Sequence, residues 1–257
     1  MNLEHQPKAP VSVVILTKNE EKNIGDCLKS VAWAKEIILL DDESTDRTRE
    51  IAAQFEARII PRKMENEGRH RNFGYDQAHE NWILSLDADE RVTPELAEEI
   101  KTTLLAPTAY TAFSIPRRNF IGSTWIQHGG WYPSGQLRLF QKGKFKYRED
   151  EVHCFPLLEG TSGLLKNDMI HYSYKSFEDF LHKLNKQTTL EAKKWVRTQR
   201  NISFLHAHWR AVDRFFRSFV LKKGYKDGLY LGFAVAVFAA LYQVISYAKY
   251  WEMKRTS

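Results

Sequence analysis

Trp82-Ile83-Leu84-Ser85-Leu86-Asp87-Ala88-Asp89-Glu90 is an apolar run that ends abruptly in three carboxylates within four residues. The apolar part predicts a buried strand, with the acids placed where that strand leaves its sheet. Clustered like charges repel and resist desolvation, so their position predicts a cation among them. A hard divalent ion, Mg²⁺ or Mn²⁺, takes oxygen ligands and completes its shell with substrate phosphates. On a continuing strand, Asp87 and Asp89 would share one face. The competing reading is a solvated turn whose acids cap a helix starting near Thr93-Pro94. Glu90 is expected only to lead into that helix.

Two further apolar runs upstream end the same way. Val11-Ser12-Val13-Val14-Ile15-Leu16 stops at Thr17-Lys18-Asn19-Glu20, and Glu36-Ile37-Ile38-Leu39-Leu40 stops at Asp41-Asp42-Glu43-Ser44. Between them Ile24, Leu28, Val31 and Ala32 recur at helical spacing. A second helix is predicted from Thr45 to Phe55 with Ser44 as its cap, a short strand over Arg58-Ile59-Ile60, and a third helix from Glu67 to His79. Strands alternating with helices imply βαβ units and an α/β fold with a mostly parallel sheet. Ligands of such sheets bind beyond the carboxyl ends of the strands, so the three polar clusters are predicted to converge on one edge.

Beyond a helix over 93–105 the pattern becomes mixed. Tyr110 to Arg117 and Gln136-Leu137-Arg138-Leu139-Phe140 are strand candidates, and Trp125, Trp131 and Tyr132 are either platforms for sugar rings or core. Polar groups cluster again at Arg148-Glu149-Asp150-Glu151-Val152-His153. Helices are predicted over 176–200, 206–222 and 229–250.

Charge is divided unevenly along the 257 residues. Residues 1–174 hold 22 Lys and Arg against 26 Asp and Glu, whereas residues 175–257 hold 16 against 6. The expected organisation is therefore a catalytic domain over 1–174 and a basic helical region over 175–257. A basic tail suits nucleic acid or an anionic membrane. Leu229 to Ala248 is 20 residues without a charge, with lysines on both sides, which favours the membrane and argues against nucleic acid. Basic, aromatic residues 206–222 read as an interfacial helix. The alternative is a terminal helix packed on the rest of the chain. Two cysteines exclude a disulfide framework. Residues 1–10 contain no apolar signal segment, which predicts a cytoplasmic start.

These stretches, together with Gly68-Arg69-His70-Arg71-Asn72-Phe73-Gly74, resemble the family 2 glycosyltransferases, which have the GT-A fold. Gly130-Trp131-Tyr132-Pro133, the 136–140 stretch, Val152-His153 and His171-Tyr172-Ser173-Tyr174 resemble the branch that adds a sugar, often glucose, to the lipopolysaccharide inner core. The resemblance implies a UDP-sugar donor, a lipid-linked saccharide acceptor and inversion at the anomeric carbon. Thr17, Asn19, Glu20, Asp42, Ser44, Arg71 and Asp87 would hold the nucleotide sugar. Asp89, with Asp87 and His171, would hold the metal. A general base is needed opposite the leaving group. Asp150, Glu151 and His153 are the candidates. The branch tends to carry an acid directly after the histidine, where this chain has Cys154; the departure leaves the choice among the three open, with Glu151 as one reading.

Each residue has a plainer reading: strand-end capping for Thr17, an exposed helix arginine for Arg71, a structural histidine for His171, a charged loop for 148–153. The enzyme is expected on the cytoplasmic face of the inner membrane, peripheral or anchored by its last helix. The alternatives are transfer to polyprenyl phosphate or protein, or a catalytically inactive nucleotide-sugar-binding scaffold.

Overall fold

The computed structural model describes residues 8–149 and 155–256. In chain order the elements are β1 (Ala9–Thr17), α1 (Ile24–Ser30), β2 (Ala34–Asp41), α2 (Thr48–Ala52), β3 (Arg58–Pro61), α3 (Glu67–Asp76), β4 (Trp82–Asp87), β5 (Glu90–Val92), α4 (Pro94–Leu105), β6 (Ala112–Ile115), β7 (Arg117–Ile121), β8 (Thr124–Ile126), β9 (Gln136–Gln141), β10 (Phe145–Tyr147), β11 (Pro156–Leu158), β12 (Ser162–Leu164), β13 (Met169–Tyr174), α5 (Phe177–Arg197), α6 (Phe204–Phe216) and α7 (Leu229–Thr256). The chain forms two compact units, Met1–Arg117 with Gly135–His171, and Arg118–Ser134 with Tyr172–Ser257.

The first unit is built on a seven-stranded sheet of order β12-β6-β9-β4-β1-β2-β3. Only β9 runs against the others, so the sheet is mostly parallel, as predicted. Both faces are covered, which is why β1 and β2 read as apolar runs without alternation. Val11, Val13 and Ile15 point to one side, where Leu28 of α1 and Leu96 and Ile100 of α4 close the core. Val14 and Ile38 point to the other, against Tyr75 of α3 and Phe140. A Cβ on Gly74 would stand 2.9 Å from Val14 and 3.2 Å from Leu40, so glycine lets α3 lie close on the sheet. From β1 the chain steps outward to β2 and β3, then returns to place β4 on β1's other flank. That reversal is the switch point where ligands bind in open α/β sheets.

The second unit is mainly helical. Phe180 and Leu184 of α5 and Val235 of α7 form one cluster, joined by Trp131. Trp131 stacks on Phe180 at 6.1 Å between ring centroids, which is the core alternative for this residue. Trp195, Ala207 and Tyr250 form a second cluster. The α7 helix is docked by polar contacts as well. Lys249 donates to Asn185 Oδ1 at 2.7 Å, Thr188 at 2.9 Å and Thr189 at 2.8 Å. By length and composition α7 could cross a membrane, although its inner face is spent on these contacts.

Two local predictions are corrected. The second helix is shorter than 45–55, and Ser44 does not cap it, because Ser44 is held in the preceding loop by Asn19. The strand over 82–90 does not continue through the acids either. The chain turns at Ala88-Asp89 and re-forms strand at Glu90, so Asp87 and Asp89 do not share a strand face.

Candidate active site

Register places the three polar clusters side by side. Thr17 pairs with Asp41, and Leu16 pairs with Asp87, so β1, β2 and β4 all end at the same level. The loops beyond are stitched together. Asn19 N–H donates to Ser44 Oγ at 2.9 Å, Thr45 N–H donates to Asn19 Oδ1 at 2.8 Å, and Ser44 N–H donates to Asp41 Oδ2 at 3.0 Å. Asn19 and Glu43 adopt left-handed φ of 54° and 51°. Such strain costs free energy and is tolerated where surrounding bonds fix the loop.

These loops wall a cavity of about 240 Å³ lined by Thr17, Glu20, Asp42, Arg71, Asp87 and Asp89, together with Lys18, Met64, Glu67 and His70. Asn19 and Ser44 stand behind this wall and hold its loops. Asp42 accepts from Met64 N–H at 2.7 Å and from Lys18 Nζ at 2.8 Å. Burial opposes its ionisation, but these two donors outweigh it and lower its carboxyl below the usual range. Glu20 accepts from Asn23 Nδ2 at 2.6 Å. His70 is 2% exposed, and burial followed by the Arg62 charge keeps its imidazole neutral to lower pH than usual.

Arg71 is not an exposed helix arginine. It is buried, donating from Nη2 to Asp87 Oδ1 at 2.7 Å and from Nε to Glu67 at 3.0 Å. Arg138 of β9 holds the other oxygen, donating to Asp87 Oδ2 at 2.7 Å and to Glu90 Oε1 at 2.8 Å. Burial disfavours the Asp87 carboxylate, yet the two guanidinium groups hold its carboxyl far below the usual range. Glu90 is fully buried, accepting Asp87 N–H at 2.9 Å and pairing with Arg117 at 3.3 Å. It therefore anchors the turn instead of merely preceding the helix. Arg91 completes the anchoring by donating to the Ala88 carbonyl at 2.8 Å.

Asp89 lies in the turn itself, with His171 Nε2 of β13 at 3.7 Å from its Oδ2. Four buried polar atoms of the cavity's lining residues make no hydrogen bond among the described residues: Thr17 Oγ1, His70 Nδ1, Arg71 Nη1 and Asp89 Oδ1. Each such atom costs about 1–3 kcal/mol unless a ligand satisfies it. Among the described residues no three His, Cys, Asp or Glu side chains are grouped to cage a metal. An acid with an unpartnered oxygen beside one imidazole instead fits a cation shared with phosphate oxygens. Asp150, Glu151 and His153 lie outside the described residues.

Sequence reasoning missed His70, Arg138 and Glu90 as site residues. The signal for Arg138 was a charge inside the apolar run Leu137-Arg138-Leu139-Phe140, which a strand can bury only with a partner.

The model of the family described as Glycosyl transferase family 2 matches residues 12–159. The chain is 26% identical over 253 residues to the lipopolysaccharide core biosynthesis glycosyltransferase LpsC of Rhizobium meliloti, covering 96% of this chain and 93% of the relative. It is 25% identical to an uncharacterized glycosyltransferase of Rickettsia felis, covering 87% and 86%. The solved structure of the mannosyltransferase PcManGT from Pyrobaculum calidifontis, in complex with GDP-Man and Mn²⁺, matches with a TM-score of 0.57 at 13% identity, over 95% of this chain and 87% of that one. The fold is thus the expected GT-A fold. Strand-end acids converging on one cavity, and a family match that covers most of β1, both acid clusters and Arg138, give one conclusion: the chain belongs to glycosyl transferase family 2.

Proposed function

We infer that the chain transfers a sugar, with glucose as the expected one, from a UDP-sugar to an inner-core lipopolysaccharide or other lipid-linked saccharide, with inversion. The observation that carries the donor half is the set of four unpartnered buried atoms lining one cavity at the switch point. The acceptor half rests on similarity to a lipopolysaccharide core glycosyltransferase across nearly the whole chain.

In this reading Asp42, fixed as a carboxylate by Lys18 and Met64, accepts from the nucleobase, and neutral His70 contributes a further polar contact. Thr17 and Glu20 line the same cavity, while Asn19 and Ser44 keep its loops in place. Arg71 turns its unpartnered Nη1 to the diphosphate while Nη2 steadies Asp87. Asp87, gripped by two arginines, presents a fixed carboxylate beside the sugar. Asp89 and His171 would hold a Mg²⁺ or Mn²⁺ ion, whose contribution when bound is neutralisation of charge on the departing diphosphate. The acceptor hydroxyl attacks the anomeric carbon as the bond to the diphosphate oxygen breaks. A base among Glu151, Asp150 and His153 takes the proton, and UDP departs with the bonding electrons.

The second unit supports a membrane location, for which the cytoplasmic face of the inner membrane is the expected side. Leu205, Trp209, Val212 and Phe216 form an exposed apolar stripe on α6 at helical spacing. Leu229, Tyr230 and Phe233 of α7 are exposed as well.

Mass spectrometry of lipopolysaccharide from a strain lacking the chain is the test. The expected result is an inner core short of one hexose, restored by the wild-type gene and not by Asp89→Asn. An unchanged lipopolysaccharide profile would overturn the acceptor assignment.

A further inference from the structure

The helical unit has a cavity of its own, with a volume of about 290 Å³, near the lower end of small-ligand sites. Its wall is aromatic, built from Trp131, Tyr174, Phe180, Phe238 and Tyr242. The rings form a continuous surface, with Tyr174 and Phe238 at 4.3 and 4.8 Å from Phe180 between centroids.

Two polar members of the wall are not explained by the fold. Gln243 is 6% exposed, and its amide makes no hydrogen bond among the described residues. The Arg214 guanidinium has no carboxylate partner among them either, and nor do those of Arg210 and Arg200. Burial, and then repulsion from Arg200 and Arg214, lower the Arg210 pKa, only partly offset by Glu191 and Asp213. Arg214 and Arg200 are exposed and Arg210 is half-buried, so together they give this side of the helical unit a positive field that suits an anion attached to an apolar body. The exposed stripe of Leu205, Trp209, Val212 and Phe216 lies on the helix that carries Arg210 and Arg214. A bilayer surface, where such anions are phospholipid headgroups, is the environment that stripe suits.

We propose that this cavity is a lipid site that takes an acyl chain of an anionic membrane phospholipid, with the phosphate at Arg214 and a polar headgroup or ester oxygen at Gln243. The site is separate from sugar transfer, and its test uses no nucleotide sugar.

The full chain in detergent is mixed with phosphatidylglycerol, or with phosphatidylcholine of identical acyl chains, and bound lipid is counted by native mass spectrometry. The expected result is one retained phosphatidylglycerol per chain, favoured at least tenfold over phosphatidylcholine. Arg214→Gln and Ala239→Phe, the latter adding bulk to the cavity wall, should each cut retention at least tenfold. Thermal melting confirms that both variants fold, and Ala239→Leu replaces the larger substitution if it does not. Unchanged retention in the filled-cavity variant, equal retention of the two lipids, or displacement by glycerophosphoglycerol as effective as by intact lipid would each overturn the proposal. Preferential retention of a lipid-linked saccharide over phosphatidylglycerol would overturn the assignment to a bilayer lipid.

Discussion

Arg138→Met removes a cation that bridges Asp87 and Glu90. Arg138 is 4% exposed and donates to both carboxylates, at 2.7 and 2.8 Å. In the wild type three arginines, Arg71, Arg138 and Arg117, face three acids, Glu67, Asp87 and Glu90. The substitution leaves that group one cation short, with fully buried Glu90 retaining only its 3.3 Å partner Arg117 among these arginines. Hydrogen bonds to charged groups contribute about 1.5–3 kcal/mol each, and stripping one partner from a buried pair costs about 3–5 kcal/mol. For a chain of this size each kcal/mol lowers the melting temperature by about 2–4 °C, so a fall of roughly 6–20 °C is expected. Thermal and urea unfolding measure it. The pair of substitutions Arg138→Met with Glu90→Leu leaves two arginines facing two acids, so its loss should be smaller than the sum of the two single losses. Turnover at a temperature where Arg138→Met remains folded should also drop at least tenfold, since Asp87 has lost half of its grip. A loss below about 1 kcal/mol, or strict additivity in the pair, would refute the coupling of these three residues.

Gly74→Ala should cost about 1–3 kcal/mol in urea unfolding, because its Cβ would stand 2.9 Å from Val14 where α3 meets the sheet. Wild-type stability there would contradict the close packing. Asp42→Ala should weaken UDP binding by roughly tenfold to a hundredfold in calorimetry, the equivalent of about 1.5–3 kcal/mol, and unchanged affinity would remove Asp42 from the base contact. Glu36 is held as a carboxylate by bonds from Ser12 Oγ and His79 N–H, which outweigh burial and lower its pKa. A depressed folded-state pKa gives stability that is present above the unfolded value of about 4.3 and is lost as pH falls through the folded one. Glu36→Gln should therefore cost about 1–2 kcal/mol at pH 7, with the difference shrinking below about pH 4. A difference that grew with acidity would have the wrong sign.

The strand ends were legible because a parallel strand buried on both faces has to be apolar throughout, so the first polar residue marks its exit. That rule alone places Thr17, Asp42 and Asp87 on one edge. The turn at Ala88-Asp89 was not legible, since Asp-Ala-Asp-Glu gives no sign of a strand that breaks and re-forms. Glu90 escaped for the same reason: its partners Arg117 and Arg138 lie 27 and 48 residues away, and only the sheet brings them together. Ser44 was assigned a cap from its position before a helical pattern, whereas the Asn19 N–H competes for the same hydroxyl across 25 residues.

The most direct test of the strand-end cavity is UDP binding measured by calorimetry with Mn²⁺ and with chelator, on the wild type and on Asp89→Asn. Tight binding is expected only for the wild type with Mn²⁺, falling at least tenfold when either the ion or the Asp89 carboxylate is removed. Equal affinity in all four measurements would contradict the claim that Asp89 holds a cation against the nucleotide's phosphates.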